Sequence, residues 1–195
     1  MKLILDEATH TYYADGKVVP GVTSVLGTLH DWKKVDPEVL RKACERGTNV
    51  HLACEYFDKG TLEESSVAHD ERGYLEGWKK FCAQHRPIWT DIEHLVFHQV
   101  HLYAGTLDRR GSMDYNGARL ERAHVDVKTG PEHPVMGLQL AAYVAASGDH
   151  LRTPRFTCHL KPNGNYKLVP WTDPSDWAYF LSLLNLDNFR RTHDL

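Results

Sequence analysis

The feature that most constrains this fold is a β-rich stretch from Ile92 to Val127. Three segments in it alternate or concentrate strand-forming residues: IEHLVFHQV, LYAGTLDRRGSMDY and RLERAHVDVKTG. Asn116-Gly117 separates the last two segments and tolerates the positive φ angles of a two-residue hairpin turn. The chain is therefore expected to be organised around a sheet of at least three neighbouring strands.

Helices are predicted before this sheet. Asp36-Pro37 opens one of them, with an acceptor side chain at the cap and a proline in the first turn. We expect Gly47 to interrupt it and Thr48 to cap a new helix that ends near Gly60. A further helix is predicted for residues 68–85, because its apolar side chains recur at helical spacing.

The segments after the sheet predict a buried helix, a hairpin and a terminal helix. Residues 134–146, PVMGLQLAAYVAA, are almost entirely apolar, which indicates burial on most sides. The next segment turns at Asn163-Gly164, and Asp173-Pro174 opens the last helix. That helix has an apolar face formed by Trp177, Phe180, Leu181 and Leu184.

The opening residues predict two short strands joined at Asp15-Gly16, followed by a brief helix capped by Thr23 or Ser24. Behind this N-terminal β-hairpin the element order αβββαββα predicts an α/β fold, a central mixed β-sheet flanked by helices. With 195 residues we expect a single domain. Its parts are a hairpin and short helix (1–35), a core (36–170) and a C-terminal helix (171–195).

Composition excludes several classes of protein. No apolar run approaches the roughly 18 to 20 residues of a membrane span, and the N-terminus becomes charged too early for a signal peptide. We therefore expect a cytoplasmic protein without a membrane partner. The four cysteines, Cys44, Cys54, Cys82 and Cys158, form no C-x-x-C pair. Reduced thiols are expected, with no iron-sulfur cluster and no zinc knuckle.

The charge distribution bears on nucleic-acid binding. A net charge of -3 argues against binding through bulk electrostatics alone. Residues 150–172, however, contain no acidic side chain, and their basic residues are Arg152, Arg155, Lys161 and Lys167. This acid-free stretch either faces a phosphate backbone or is ordinary solvated surface.

Asp126-Val127-Lys128 is the segment most suggestive of chemistry. Residues two apart on a strand project to the same face, so a carboxylate and an ammonium emerge side by side. Asp108 ends the neighbouring strand, across the predicted hairpin turn. Such a pair of carboxylates suits a hard divalent cation, and the Val127 carbonyl offers a further oxygen. An ion pair at a strand end would explain the same spacing.

Four separated segments together resemble the RecB-like branch of the PD-(D/E)xK nucleases, which includes phage-type and mitochondrial-type exonucleases. They are, in order, RGTNVH (46–51) with Glu55, GTLD (105–108), DVKTG (126–130) and QLAAY (139–143). An N-terminal string between His10 and Thr23 extends the resemblance to phage-encoded members. Leu107 stands where the proline that names the superfamily would be, and the four-cysteine cluster of some relatives is absent.

The resemblance implies a restriction-endonuclease-like core (αβββαβ) and a metal-dependent deoxyribonuclease. It implies Mg²⁺ or Mn²⁺ held by His51, Asp108, Asp126 and the Val127 carbonyl, with Lys128 acting beside the aspartates. An exonuclease serving phage or bacterial recombination or replication is expected. DNA would then be the substrate, with a recombination or single-strand annealing protein as a further partner. A structure-specific endonuclease and a cleavage-inactive DNA-binding module remain alternatives.

Five other residues are candidates with open alternatives. Gln139 and Tyr143 share a helix face and would contact substrate phosphate or hold Lys128, unless they form structural bonds to the sheet. Arg46 would receive a terminal phosphate or form a surface ion pair. Glu55 would assist the metal, orient His51 or face solvent. Glu93 corresponds to an acidic position of some relatives or is simply exposed.

Overall fold

The computed structural model describes residues 2–29 and 36–194, so residues 30–35 of the predicted N-terminal segment, and residues 1 and 195, lie outside the described residues. The strands are β1 (Leu3–Asp6), β2 (Thr11–Ala14), β3 (Lys17–Val19), β4 (Ile88–His98), β5 (Tyr103–Tyr115), β6 (Ala118–Lys128), β7 (Arg155–Leu160) and β8 (Tyr166–Pro170). The helices are α1 (Val22–Gly27), α2 (Pro37–Asp58), α3 (Arg72–His85), α4 (Val135–Ala146) and α5 (Asp176–His193).

The central sheet is mixed, with strand order β4-β5-β6-β7-β8. All neighbours pair antiparallel except β6 and β7, which are parallel because α4 carries the chain back between them. The predicted fold class, a central mixed sheet flanked by helices, is confirmed. Lys128 pairs with His159 at one end of β6 and β7, whereas His124 pairs with Arg155 at the other. The Lys128 end and the Arg155 end of these two strands therefore lie on opposite sides of the sheet's length.

The N-terminal region forms a three-stranded antiparallel sheet, β1-β2-β3, instead of the single predicted hairpin. Asp15 and Gly16 occupy the predicted turn, with φ angles of 47° and 79°. The extra strand arises because Asp6 closes a second turn, its carboxylate accepting hydrogen bonds from the Ala8 amide and the Thr9 hydroxyl.

Helices pack on both sides of the central sheet. One core joins α2 and α3 to the sheet and includes Val50, Cys54, Trp78, Phe81, Val125, Val127, Phe156 and Cys158. The other joins α1, α4 and α5 to β4 and β5 and includes Val22, Tyr103, Leu107, Tyr143, Phe180 and Leu184. Burial raises the pKa of the Cys54 and Cys158 thiols, so both stay protonated. No described helix is long and apolar enough to cross a bilayer.

The helix bounds differ from the sequence prediction at α1, α2, α3 and α5. Helix α1 begins after Gly21 rather than at a Thr23 or Ser24 cap, and α5 begins after Ser175 rather than at Asp173-Pro174. Gly47 does not break α2, which runs without interruption from a cap in which Asp36 accepts hydrogen bonds from the Glu38 and Val39 amides. A glycine costs a helix only about 1 kcal/mol, and burial of Val50 one turn later offsets that cost. Helix α3 begins at Arg72, four residues after its predicted start.

Candidate metal and active site

An open cleft of about 870 Å³ lies between α2, the N-terminal sheet, the central sheet and α4. Eight of the candidate site residues from the sequence line it: His51, Glu55, Glu93, Asp108, Asp126, Lys128, Gln139 and Tyr143. They come from α2, β4, β5, β6 and α4 and are up to 92 positions apart in the chain. The fold thus gathers the segments of all four motifs around one cavity.

Asp108 is held where β5 and β6 diverge. Backbone pairing between these strands extends to Arg109 and Val125 and goes no further toward the cleft. Beyond that pair the Val127 amide donates to Asp108 Oδ2 at 2.7 Å. The Asp108 side chain therefore replaces a backbone acceptor, and its carboxylate is fixed at the floor of the cleft.

Three side chains form a group that could hold a cation: His51, Glu93 and Asp108, with one ligand atom each within 4.8 Å of the others. His51 Nδ1 lies 3.4 Å from Asp108 Oδ2 and 3.9 Å from Glu93 Oε1. Glu93 reaches this place because β4 pairs with β5 at Ile92–Arg109 and His94–Leu107, which sets Glu93 opposite Asp108. The sequence alone allowed two interpretations of Glu93, an acidic residue of the site or a simply exposed side chain.

The orientation of the His51 ring shows why this group favours positive charge. Its Nε2 lies 2.8 Å from the Val127 carbonyl oxygen, which can only accept, so Nε2 carries the proton. In a neutral ring Nδ1 would then direct a lone pair toward two carboxylates. Burial disfavours the imidazolium, but Asp108 and Glu93 outweigh it and raise the pKa of His51 to about 8. A proton or a metal cation at Nδ1 relieves this repulsion.

Asp126 lines the same cleft and is paired with Lys128. Its Oδ2 lies 2.6 Å from Lys128 Nζ, and Asp126 is not part of the His51–Glu93–Asp108 group. The ammonium attracts the carboxylate toward itself, because alternation on β6 places both side chains on one face. Apart from this ion pair, Asp126 Oδ2 is buried and accepts no hydrogen bond from the described residues.

Burial also shifts the titration of this pair. Desolvation raises the pKa of Asp126, with the Asp108 charge acting in the same direction and Lys128 against it. For Lys128, burial lowers the pKa, but Asp126 and Asp108 outweigh it and the net shift is upward. Lys128 is therefore a cation at neutral pH. Its side chain, 22% exposed, reaches the cleft.

These donors fit a hard divalent ion. Carboxylate oxygens and one imidazole nitrogen are ligands that Mg²⁺ and Mn²⁺ accept, and the group contains no thiolate that would favour a softer metal. Asp126 Oδ2, which is buried and paired with Lys128, is a further carboxylate oxygen in the same cleft. Of the predicted ligands, His51 and Asp108 belong to this group together with Glu93, and Asp126 lines the same cleft.

Gln139 and Tyr143 form a bonded pair on α4. Gln139 Nε2 donates to the Tyr143 hydroxyl oxygen at 3.0 Å, which leaves the hydroxyl proton for another acceptor. Burial raises the pKa of Tyr143 well above its usual value, so it remains a neutral phenol. The ring also explains Gly105 in the GTLD segment, since a Cβ there would lie 2.6 Å from Tyr143 Cε1.

Two other candidates occupy different environments. Arg46 does not line the cleft, and its guanidinium carbon lies 5.8 Å above the Tyr74 ring on α3. Glu55 does line the cleft, but its carboxylate pairs with Lys59. Among the described residues, neither side chain forms a hydrogen bond or ion pair with His51, whose partners are Val127, Glu93 and Asp108.

The acid-free stretch 150–172 is divided between both ends of the molecule. Arg155 is buried and donates to Asp176 and to the Trp171 and Asp173 carbonyls, so its guanidinium is bonded within the protein. Arg152 lines a separate cavity of about 830 Å³ at the far end of β7. Lys161 follows Leu160, at the end of β7 where Lys128 pairs with His159, and is exposed.

Sequence reasoning missed Arg109 and Asp58, which are among the most buried charged side chains described, at 0% and 3% exposed. Arg109 connects Asp58 at the end of α2 to Glu93 in the donor group. A local signal existed, because Arg109 sits within β5 among side chains that alternation would bury. Its partner is 51 positions away, and no local pattern identifies it.

Comparisons with known proteins found similar solved structures only. No family model matches this chain, and no curated protein does. Among solved structures, LHK-Exo in complex with dAMP is similar over 90% of this chain and 93% of its own, with 11% identity and a TM-score of 0.45. SSO0001 is similar over 85% of this chain and 72% of its own, with 13% identity and a TM-score of 0.38. What the cleft can do therefore depends on its own side chains.

Proposed function

We propose that this chain is a divalent-metal-dependent nuclease that hydrolyses phosphodiester bonds in DNA. The observation that carries the proposal is the cleft in which the His51–Glu93–Asp108 group adjoins the buried Asp126–Lys128 pair. Carboxylates, an imidazole and a lysine in one cavity are what metal-assisted phosphodiester hydrolysis requires.

His51 Nδ1, Glu93 and Asp108 would hold the cation, with Asp126 and the Val127 carbonyl at the edge of the site. Mg²⁺ or Mn²⁺, when bound there, would neutralise charge on the scissile phosphate and lower the pKa of a water molecule. Asp108 contributes a fixed position, because the Val127 amide holds one of its oxygens.

Lys128 supplies a positive charge that does not depend on the metal. One of its N–H groups faces Asp126, and the ammonium has two more donors available to the cleft. These can donate to the attacking oxygen or to a phosphate oxygen as negative charge develops on it. Asp126 keeps the ammonium in place and keeps it protonated.

Gln139 and Tyr143 act on the substrate. Because Gln139 donates to the phenol oxygen, the Tyr143 proton is directed elsewhere and is available to a phosphate oxygen. The raised pKa of Tyr143 keeps this donor intact across the neutral range. We assign the pair to positioning of the phosphate.

The resemblance of the four motifs to RecB-like exonucleases supports a finer proposal. On that basis the chain acts from DNA ends, in phage or bacterial recombination or replication, and works beside a recombination or single-strand annealing protein. Arg46 stays outside this proposal, because it stacks on Tyr74 rather than facing the cleft.

The test is an incubation of purified protein with end-labelled linear DNA and with covalently closed circular DNA, in Mg²⁺, in Mn²⁺ and in EDTA. We expect mononucleotides or short products from linear DNA only when metal is present. Cleavage of the closed circle would replace the exonuclease by an endonuclease. Absence of cleavage with retained DNA binding would identify a cleavage-inactive module.

A matched pair of variants connects cleavage to the cleft. Asp108→Asn keeps an oxygen that can accept from the Val127 amide but removes the charge, so metal-dependent cleavage should be lost while the fold persists. Asp114→Asn makes the same change near the end of β5 that adjoins the Asn116-Gly117 turn, where Asp114 pairs with Arg119, and should cleave like the unchanged protein. Equal activity of both variants would refute the site assignment.

A further inference from the structure

Glu93 enters the donor group through an unusual backbone conformation. Its φ angle is +47°, in the left-handed region that a residue with a Cβ seldom adopts. Pairing of β4 with β5 continues on both sides, at Ile92 and at His94. Strain of this kind persists only where the surroundings hold it, and it is concentrated at functional sites. Glu93 therefore needs a neighbouring group that keeps it in this conformation.

Arg109 is the side chain that holds it. Its Nη1 donates to Glu93 Oε1 at 2.7 Å and to the Asp108 carbonyl at 2.8 Å. The guanidinium is fully buried, so it cannot rotate into solvent and release the carboxylate. Arg109 thus contacts one member of the donor group and the backbone of another without lining the cleft itself.

The other end of the guanidinium is fixed to the core. Arg109 Nε donates to Asp58 Oδ2 at 2.6 Å, and Trp78 Nε1 donates to the second oxygen of Asp58 at 3.0 Å. The Arg109 guanidinium carbon also lies 5.6 Å above the Trp78 ring. Asp58, at the end of α2, and Trp78 on α3 therefore determine where the guanidinium lies.

We propose that Arg109 is a positioning residue that maintains Glu93 as a ligand of the divalent cation. This inference rests on the proposed function. The planar fork of the guanidinium lets one side chain bond Asp58 through Nε and Glu93 through Nη1 in fixed relative directions. A lysine ammonium at the same place could satisfy the Asp58 charge but would not hold both carboxylates in this geometry. Arg109 therefore acts on the metal through Glu93.

The test is calorimetric binding of Mn²⁺ without DNA. Because Arg109→Lys keeps a charge for Asp58 and releases Glu93, we expect about 10-fold weaker Mn²⁺ binding, the usual loss when a partner of a ligand is removed. Glu93→Gln should weaken binding at least as much. The double variant should bind like Glu93→Gln alone, within about 2-fold, since Arg109 has nothing left to position.

Arg155→Lys is the matched control. Arg155 is another buried arginine, paired with Asp176 at the end of β7 away from Lys128, and its change should lower the melting temperature without altering Mn²⁺ affinity. If Arg109→Lys does not fold, the double variant Asp58→Asn with Arg109→Met removes both charges of the buried pair at once. Its Mn²⁺ affinity should fall by the same factor of about 10, the loss expected when one partner of a ligand is missing.

The outcomes are distinguishable. Unchanged Mn²⁺ affinity in a folded Arg109 variant, beside a metal-binding parent, would overturn the positioning role alone. Additive losses in the double variant with Glu93→Gln would do the same, because Arg109 would then act independently of Glu93. Failure of the unchanged protein to bind Mn²⁺ would overturn this inference together with the proposed function.

Discussion

Replacing Lys128 by methionine tests the electrostatics of the cleft most directly. The change removes the ammonium 2.6 Å from Asp126 and leaves a carboxylate that is 2% exposed next to Asp108. Breaking a buried ion pair in this way costs about 3–5 kcal/mol. The protein has one way to reduce the cost, which is to protonate Asp126.

Protonation of Asp126 limits the loss of stability in the variant, and this limit depends on pH. From an unfolded pKa of about 3.9, holding Asp126 protonated costs about 1.4 kcal/mol per pH unit, thus about 4 kcal/mol at pH 7 and about 1.5 kcal/mol at pH 5. Without Lys128, burial and Asp108 raise the pKa of Asp126 unopposed. Because the pKa of Asp126 is higher in the folded variant than in the unfolded chain, the free energy of unfolding decreases as pH rises between these two pKa values. The destabilisation of the variant should therefore grow with pH.

The assay is urea denaturation in EDTA of both proteins at pH 5 and pH 7. We expect Lys128→Met to be less stable by about 3–4 kcal/mol at pH 7 and by at most about 1.5 kcal/mol at pH 5. Adding Asp126→Asn should remove most of this pH dependence, because no carboxylate remains to titrate. A loss that is equal at both pH values, or absent at pH 7, would refute the reasoning. Cleavage should fall by about 10²–10³ in kcat.

Three further predictions concern the metal, the DNA path and the fold. Asp108→Asn should abolish calorimetric Mn²⁺ binding or weaken it at least 10-fold, as expected for removal of a ligand charge rather than of its partner, and unchanged affinity would remove Asp108 as a ligand. Lys161→Glu should lower the slope of DNA affinity against salt concentration by roughly one unit. Arg152→Glu, at the other end of β7, should leave that slope unchanged, and the reverse result would place the DNA at the Arg152 end. Asp149→Asn should cost about 3–5 kcal/mol at pH 7, because Arg110 and His124 lose a buried partner. Since these partners hold the pKa of Asp149 well below its usual range, this difference should begin to shrink only as pH falls below the unfolded pKa of about 3.9, by about 1.4 kcal/mol per pH unit, which acid titration of both proteins would show.

Features governed by neighbouring residues could be predicted from the sequence. Asn116 and Gly117 form the hairpin turn with φ angles of 50° and 78°, and Asp36 caps α2, because turn and cap geometries depend on a few adjacent residues. The same holds for Asp126 and Lys128 on one face of β6, since alternation along a strand is a local rule. These local features, with the order of the elements, were enough to predict a mixed sheet flanked by helices.

The relation between distant side chains was decided only by the tertiary structure. Packing of Val50 carried α2 through Gly47, where local propensity predicted a break. The register of β4 against β5 placed Glu93 opposite Asp108, and the fold brought the Asp126–Lys128 pair into the same cleft. Strand register, burial and charge pairing act between residues that are tens of positions apart. Sequence patterns identify the chemical groups of such a site, whereas distances in the folded chain determine which of them can share a cation.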